Sequence, residues 1–210
     1  MQRTKGIDVS HHQGVIDFRK VKASGIGFVM LRAGYGWEKW PKQTDRMFYR
    51  NYKNAVAAGL PCGAYHYSYA KTISDAQKEA DFFLNIIKGC RLEYPAAFDL
   101  EDPTQAGLGR TALTGIADAF CRKMEQAGYY VCLYTNPDWM KNRLDMKYLS
   151  RYDLWIARYG REPAAGTAGM WQYTNAGKVD GVKTWVDMDI AYRNYPQLMR
   201  KVGLNGFSKG

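Results

Sequence analysis

Residues 44–68 read TDRMFYRNYKNAVAAGLPCGAYHYS, and this stretch holds one complete unit of the fold. Its first part repeats apolar side chains with a period of about 3.6 residues, which predicts an amphipathic helix over residues 44–58. Gly59 follows and supplies the left-handed residue with which many helices end. The next run, Cys62 to Ser68, is apolar and aromatic, as is typical of a buried strand. The stretch therefore predicts a helix that leads through a glycine into a strand.

The same order of helix, glycine and strand recurs along the chain. The glycines that mark these joints are Gly25, Gly59, Gly89 and Gly128. Each stands at the end of a helix-period segment and shortly before a β-rich run. Further strand-like runs lie at both ends of the chain, and only loops separate the last three. The predicted strands are residues 6–9, 27–33, 62–68, 96–101, 129–135, 154–157, 169–173 and 186–190.

Long helical segments between strands favour parallel pairing, because a parallel connection has to cross the sheet. About eight such strands predict an α/β fold, an irregular (β/α) barrel with an incomplete outer helix ring. One of the helices is predicted to begin at Ser74, which forms a capping-box pattern with Gln77. An open doubly wound sheet is the alternative, but no phosphate-binding glycine motif follows a strand. Residues 1–195 are predicted to form one barrel and 196–210 a short tail, helical or frayed, with no separate binding module.

The composition is that of a globular chain with an excess of positive charge. Of its 210 residues 46% are hydrophobic and 24% are charged, which suffices for a buried core. The formal charge of +10 favours polyanionic partners such as nucleic acid, anionic lipid or acidic wall polymers. The positive residues are scattered, unlike the packed basic run of a nucleic-acid-binding arm. The apolar runs are too short to cross a bilayer, so no transmembrane segment is expected.

The first five residues enter the first strand without an apolar leader, so we expect no signal peptide in this chain. Such a chain acts inside a cell, leaves by lysis, or has lost a leader. The cysteines form no CxxC pair and no zinc-finger spacing with histidine, so no metal site is predicted. Buried free thiols are the favoured interpretation and disulfides stay open for Cys62, Cys90, Cys121 and Cys132.

Four acidic residues interrupt apolar runs that are predicted to be strands. Asp8 lies in the first run, Asp99 and Glu101 end the fourth, and Asp187 lies in the last. The active sites of parallel barrels lie at the C-terminal ends of the strands, so these carboxyl groups are expected to meet at one mouth. Carboxylates are rare in strands and costly to bury, which favours a functional role for the group over simple capping.

Asp99 and Glu101 lie two positions apart, so on a strand they project to the same face. Crowding beside an apolar wall favours retention of one proton at neutral pH. We predict that Glu101, longer and at the mouth, is a general acid and that the deeper Asp99 is an anion. Glycoside hydrolysis requires such a pair. Because neighbours on one strand do not face opposite sides of a sugar, the pair favours a route in which the sugar's N-acetyl group is the nucleophile.

Aromatic residues on the predicted strands suit a sugar-binding groove, since pyranose rings pack their apolar faces on tyrosine and tryptophan. The candidates are Tyr65, Tyr67, Tyr134 and Trp155. Packing in the core is the alternative for each of them. The histidines are interpreted as structural, with His11 and His12 solvated in a loop and His66 a hydrogen-bonded core residue. The sequence contains no nucleophile elbow and no HExxH motif.

Four motifs occur in a specific order along the chain. They are Gly6-Ile7-Asp8-Val9-Ser10 with Gln13-Gly14, then Phe98-Asp99-Leu100-Glu101, then Leu154-Trp155-Ile156-Ala157-Arg158-Tyr159, then Met170-Trp171-Gln172-Tyr173 before Val186-Asp187. In this order the chain resembles the glycoside hydrolase family 25 muramidases, also called Chalaropsis-type lysozymes, over residues 5–192. The resemblance implies an irregular (β/α) barrel. It also implies cleavage, with net retention, of the β-1,4 bond between N-acetylmuramic acid and N-acetylglucosamine in peptidoglycan.

The resemblance implies roles for individual residues. Glu101 looks like the general acid/base and Asp99 like the partner that stabilises the intermediate, while Asp8 and Asp187 look like supporting acids. The family often has asparagine where this chain has Asp189, and Asp187 is chosen because it holds the usual place in the motif. Contacts with substrate are expected from Tyr65, Tyr67, Tyr134, Trp155 and Gln172.

No cofactor and no metal is implied, and the expected partners are bacterial peptidoglycan and anionic wall polymers, without nucleic acid or membrane insertion. The enzyme would act at the bacterial cell wall, as a phage endolysin released at lysis or as a secreted enzyme that lacks its leader. Three alternatives stay open: a chitinase-like hydrolase, which would need a longer D-x-x-D-x-D-x-E strand; a non-catalytic wall-binding protein; and a basic nucleic-acid binder.

Overall fold

The computed structural model describes residues 3–209, so positions 1, 2 and 210 of the predicted ranges lie outside the described residues. The strands within them are β1 (Thr4–Val9), β2 (Phe28–Tyr35), β3 (Cys62–Tyr67), β4 (Ala96–Asp99), β5 (Val131–Thr135), β6 (Asp153–Ala157), β7 (Met170–Gly177) and β8 (Val186–Ala191). The helices are α1 (Phe18–Ala23), α2 (Phe48–Ala57), α3 (Ile73–Ile87), α4 (Arg110–Gln126), α5 (Pro137–Asn142) and α6 (Tyr195–Val202), with 3-10 turns at His11–Gln13 and Pro103–Gln105.

The eight strands form a closed barrel in chain order, which confirms the predicted fold class. Strands β1 to β7 pair in parallel, as the helical connections between the early strands predict. The last strand differs, because β8 runs antiparallel to both β7 and β1. A loop over residues 178–185 joins β7 to β8 in place of a crossover helix, and such a connection forms a hairpin. The expectation of parallel pairing therefore fails for the strand that closes the barrel.

The glycines predicted to join a helix to the following strand have the expected backbone conformation. Gly25, Gly59, Gly89 and Gly128 all have positive φ, as the glycine that ends a helix requires. The predicted capping box at Ser74 is wrong by two residues. Helix α3 is capped by Thr72, whose Oγ1 accepts the Asp75 N–H at 3.1 Å while Asp75 Oδ2 accepts the Thr72 N–H at 3.1 Å. An aspartate at the third position replaces the glutamine that the motif favours.

The buried side chains form two layers. One layer lies between the barrel and its helices, where Phe98 stacks on Phe120 with ring centroids 4.0 Å apart. The other fills the barrel, where Phe28 stacks on Tyr94 at 4.2 Å and Tyr94 contacts Tyr195. All four cysteines are buried and free. No helix among residues 3–209 is long and apolar enough to cross a membrane.

The segment predicted to be a short tail takes part in this packing. Helix α6 places the fully buried Tyr195 and Met199 against the residues inside the barrel. Beyond the helix, the buried Asn205 accepts the Tyr130 N–H at 2.7 Å and donates to the Tyr94 carbonyl at 2.9 Å. These contacts close the end of the barrel at which the parallel strands begin, so the opposite end is the open one.

Gly6 provides a test of the packing inside the barrel. It pairs with Phe28 across β1 and β2, and a methyl group at residue 6 would overlap the Phe28 ring. That ring is held against Tyr94, so the overlap cannot be relieved cheaply. We expect Gly6→Ala to lower the free energy of unfolding by about 1–3 kcal/mol, measured by urea denaturation. Gly107→Ala, where the added methyl group meets nothing within 4 Å, is the matched control and should be close to neutral.

Candidate active site

A cavity of about 240 Å³ opens at the C-terminal ends of the parallel strands. The structure brings all nine predicted site residues together on its wall: Asp8, Tyr65, Tyr67, Asp99, Glu101, Tyr134, Trp155, Gln172 and Asp187. The wall also contains residues that were not predicted to be part of a site: Ser10, His12, Gln13, Arg32, Tyr159 and Asn175. Carboxyl, amide and phenol groups therefore converge on one small space, which is typical of a site that binds and processes a polar substrate.

The two neighbouring acids of the D-x-E motif lie at different depths. Asp99 is the last residue of β4 and is 5% exposed, whereas Glu101 lies two residues beyond the strand and is partly exposed. The predicted strand over residues 96–101 is therefore too long by two residues. Glu101 still reaches the same cavity, where Asn136 Nδ2 donates to its Oε2 at 3.4 Å. The D-x-E spacing thus predicts the same cavity wall for both groups, and both line that wall although only Asp99 is in the strand.

Burial dominates the electrostatics of this pair. It raises the pKa of Asp99 well above the usual 3.8, and the nearby charge of Glu101 adds to the effect. Asp99 Oδ1 is buried without a hydrogen-bond partner, which leaves its charged form poorly solvated. Burial also raises the pKa of Glu101, against the opposing hydrogen bond from Asn136. Both groups thus hold a proton more tightly than an exposed carboxyl group does, and the division into a protonated Glu101 and an anionic Asp99 stays a prediction.

Asp8 is joined to two tyrosines through Gln172. Gln172 Nε2 donates to Asp8 Oδ2 at 2.8 Å, and Gln172 Oε1 accepts from Tyr134 OH at 3.0 Å and from Tyr159 OH at 3.2 Å. Because a phenol donates to the amide oxygen, the amide nitrogen faces the carboxylate. The chain of bonds fixes one end of the cavity and links β1, β5 and β7.

The two aspartates of β8 have different positions. Asp187 lies opposite Asp8 in the strand register and is on the cavity wall. Asp189 is fully buried beneath it, where Trp155 Nε1 donates to Asp189 Oδ1 at 2.8 Å. Burial raises the pKa of Asp187 to about 6, and it raises the pKa of Asp189 well above 3.8. The pKa of Asp8 is raised as well, first by burial and then by the charge of Asp189.

The predicted aromatic residues form the floor of the cavity more than an open platform. Trp155 is only 1% exposed, and its ring meets Tyr134 and Tyr65 edge to face at 4.6 and 5.8 Å between centroids. Tyr67 is the more open one, and its hydroxyl donates to Asp102 Oδ2 at 2.9 Å. The most accessible phenol on the wall is that of Tyr159, which is 52% exposed.

Arg32 is a functional candidate that was not singled out from the sequence. It is the one lysine or arginine on the cavity wall, and it lies on β2. Its Nε donates to Asp45 Oδ2 at 3.1 Å, and its Nη2 lies 2.7 Å from His11 Nδ1. Its charge opposes the rise in the pKa of Asp99. The signal in the sequence is an arginine within the apolar run Phe28-Val29-Met30-Leu31-Arg32-Ala33.

His66 is buried on the face of β3 away from the cavity, as predicted, but the predicted hydrogen bond is absent. Among residues 3–209 neither ring nitrogen has a hydrogen-bond partner, and Nε2 lies 3.8 Å from Glu79 Oε2. The ring is packed among Phe82, Phe83 and Phe120. Burial lowers the pKa of His66 to about 3, so the imidazole is neutral at physiological pH. Residues 3–209 contain no group of three or more acidic, histidine or cysteine side chains that could hold a metal ion.

The comparisons with known proteins identify the family. The family model described as glycosyl hydrolases family 25 matches residues 7–182. The chain belongs to this family. The match includes three of the four acids on the cavity wall, Asp8, Asp99 and Glu101, and the family resemblance inferred from the sequence motifs is confirmed.

Individual relatives agree with the family match. The chain is 33% identical over 187 residues to an autolytic lysozyme of Clostridium acetobutylicum, a match that covers 88% of this chain and 55% of that protein. Among solved structures, the CTP1L endolysin superposes with a TM-score of 0.81 at 30% identity, covering 93% of this chain and 69% of the other. The autolysin LytC of Streptococcus pneumoniae, solved with a synthetic peptidoglycan ligand, superposes with a TM-score of 0.80 at 27% identity, covering 91% and 47%. The family 25 chain thus spans about half the length of its clostridial relative.

The buried Asp189 predicts how the stability of this family 25 barrel changes with pH. The pKa of Asp189 is raised above 3.8 in the folded state, so the folded protein binds this proton more tightly than the unfolded chain does. The resulting contribution to the free energy of unfolding is present below pH 3.8 and is lost as pH rises through the folded-state pKa. Asp189→Asn removes the titration, and its amide oxygen can still accept the Trp155 N–H. We expect the loss of unfolding free energy between about pH 4 and about pH 8 to be smaller in the variant by on the order of 1–2 kcal/mol.

Urea denaturation at several pH values would measure this difference. Asp180→Asn changes an exposed aspartate in the loop before β8 and is the matched control. If the wild type, Asp189→Asn and Asp180→Asn lose the same stability over this range, the proton is not bound at Asp189.

Proposed function

We propose that the protein is a muramidase that cleaves the β-1,4 bond between N-acetylmuramic acid and N-acetylglucosamine in bacterial peptidoglycan. The observation that carries the proposal is a pair of carboxyl groups, the buried Asp99 and the partly exposed Glu101, on the wall of one polar cavity in a family 25 barrel. Raised pKa values in both groups support chemistry that starts with proton donation. The names of the relatives, which include a lysozyme and an autolysin solved with a peptidoglycan ligand, support the choice of substrate.

In the proposed reaction, Glu101 donates its proton to the glycosidic oxygen as the bond from that oxygen to the anomeric carbon breaks. Glu101 suits this role because it is only partly buried and stands at the mouth of the cavity, where a leaving sugar can depart. The resulting carboxylate then removes a proton from the water that attacks the anomeric carbon. One residue thus acts first as acid and then as base.

The nucleophile of the first step is proposed to be the carbonyl oxygen of the substrate's own N-acetyl group. Asp99 and Glu101 come from one short segment at the end of β4, so they approach the sugar from one side, whereas a covalent carboxylate nucleophile has to face the opposite side from the acid. Attack by the acetamido oxygen and then by water inverts the anomeric carbon twice, which gives net retention. Asp99, deeper in the cavity, would accept the acetamido N–H and stabilise the positive charge of the intermediate.

The remaining groups of the cavity are proposed to set the charge and shape around this reaction. An anionic Asp99 is needed beside the intermediate, and the charge of Arg32 favours that form against the effect of burial. Asp8, held by Gln172, and Asp187, opposite it in the sheet, form the other end of the cavity. They would hydrogen-bond the sugar that occupies this end.

The general acid gives the sharpest test. Glu101→Gln keeps the size and the hydrogen-bond capacity of the side chain but cannot donate an acid proton, so we expect turnover to fall by about 10²- to 10⁴-fold while wall fragments still bind. Purified peptidoglycan would be digested, and the fragments reduced with borohydride and identified by mass spectrometry. New reducing ends on N-acetylmuramic acid, absent with the variant, are the expected result.

Glu125→Gln is the matched control, because Glu125 lies on α4 and pairs with Arg151 away from the cavity. It should digest peptidoglycan like the wild type. Wild-type activity in Glu101→Gln would contradict the assignment of the acid. Reducing ends on N-acetylglucosamine, or activity on chitin alone, would contradict the muramidase and favour a chitinase-like hydrolase.

Net charge is proposed to hold the enzyme at the anionic bacterial wall. The formal charge is +10, and one exposed group of cations lies on the loop before β8, where Lys178 stands over the exposed Trp185 ring at 4.6 Å and Lys183 is nearby. This loop leads directly into Asp187 and so lies beside the cavity. Wall polymers that carry phosphate would be attracted to it.

Binding to isolated walls should therefore weaken as ionic strength rises, because exposed charges are screened by salt. We expect the double variant Lys178→Glu/Lys183→Glu to bind walls less tightly at low salt. Lys147→Glu/Lys201→Glu makes the same change in net charge at exposed positions outside this loop and is the control. Equal loss in the two double variants would assign the attraction to net charge alone, and wall binding that does not respond to salt would contradict the proposal.

A further inference from the structure

A second pocket, of about 360 Å³, opens directly beside the cavity that holds the acids. The two spaces share three wall residues, His12, Arg32 and Tyr67, so they adjoin each other. The side pocket, as this second space is called below, is completed by His11, Tyr35 and Tyr69, which do not line the cavity. The site as a whole therefore consists of two adjoining pockets.

The wall of the side pocket is aromatic and well packed. Tyr69 meets Tyr67 at 5.3 Å and Tyr35 at 6.4 Å between ring centroids, with steep angles between the rings. The guanidinium of Arg32 lies 5.6 Å from the centre of the Tyr35 ring. Tyr69 is 37% exposed, so part of this surface is available to a ligand. Rigid phenol rings offer contact area and hydrogen bonds at a low cost in conformational entropy.

The charge of the side pocket comes from Arg32, at the junction with the cavity. Its position is fixed by Asp45, whose side chain is fully buried and whose Oδ2 accepts from Arg32 Nε at 3.1 Å. Burial and the neighbours His11 and Arg32 lower the pKa of His12, which disfavours a charge on its ring. A fixed guanidinium binds carboxylate and carbonyl oxygens well. The chemistry of the pocket thus fits an amphipathic group with acceptor oxygens near the cavity.

We propose that the side pocket binds the lactyl-peptide branch of N-acetylmuramic acid, with Arg32 at the acceptor oxygens of the lactyl end and Tyr35 and Tyr69 along the peptide. This inference rests on the proposed muramidase activity and extends it. A glycan of N-acetylglucosamine alone is linear and neutral, and it has no branch that would use a second pocket with a cation on the shared wall. Peptidoglycan carries such a branch on alternate sugars, and the branch has the carbonyl and carboxylate oxygens that Arg32 would bind.

The pocket can be tested separately from the chemistry, since Tyr35 and Tyr69 do not line the cavity. Steady-state kinetics would be measured on soluble glycan strands that carry peptide stems, and on the same strands after an amidase has removed the peptides. We expect Tyr69→Ala to raise KM on the peptide-bearing strands by about fivefold or more, with kcat unchanged, and to leave both constants unchanged on the stripped strands.

Tyr35→Ala is the second variant and should show the same selective effect. Tyr148→Ala removes an exposed tyrosine that does not line the side pocket and is the matched control; it should behave like the wild type on both substrates. Thermal unfolding of each variant would confirm that it is folded.

The outcomes separate the two proposals. A KM increase that is equal on peptide-bearing and stripped strands would overturn the peptide assignment and place a sugar of the glycan in the pocket. No change on either substrate would overturn the pocket as a binding site. If wild-type enzyme releases no N-acetylmuramic acid reducing ends from either strand, the muramidase itself fails, independently of these variants.

Discussion

The pairing of β8 with both β1 and β7 is the constraint on which the site depends. This one strand closes the barrel, and it does so in the antiparallel sense. The register places Asp187 opposite Asp8 on one side and Asp189 opposite Gln172 on the other. A shift by a single residue would turn the aspartates of β8 to the other face of the sheet. The backbone pairing of β8 therefore holds Asp187 beside Asp8 of β1 and Asp189 beside Gln172 of β7.

Holding several carboxyl groups at this mouth is costly, and the structure compensates for only part of the cost. Trp155, Gln172 and Asn136 each donate one hydrogen bond, to Asp189, Asp8 and Glu101 respectively. These bonds lower the pKa of their partners, yet burial is the larger effect in every case. Each of these groups therefore holds a proton more tightly than an exposed carboxyl group would. An acid catalyst needs this incomplete compensation, because a fully solvated carboxylate cannot donate a proton at neutral pH.

Local patterns in the sequence predicted most of the barrel and the residues that line the cavity, and several of the failures involve contacts between distant parts of the chain. Glycines with positive φ mark the ends of helices before strands, and the D-x-E spacing predicts that Asp99 and Glu101 lie on the same cavity wall. Both features depend only on residues that are neighbours in the chain. The pairing of β8 with β1 joins the two ends of the chain, and no local pattern shows it. The raised pKa of Asp99 likewise depends on burial beneath distant elements. Arg32 was missed for a similar reason, since its partner Asp45 lies beyond the end of its strand and only the fold brings them together.

Asp45 and Asp99 show how burial alone does not decide the charge of an aspartate. Both side chains are removed from solvent. Asp45 accepts the N–H groups of Met47 and His11 as well as Arg32, so its pKa is lowered although burial opposes the change. Asp99 has an oxygen without a partner, and its pKa is raised. Arg32 lies between the two environments, anchored by the satisfied aspartate and within electrostatic reach of the unsatisfied one. Asp45 thus holds in place the charge that favours the anionic form of the otherwise unsatisfied Asp99.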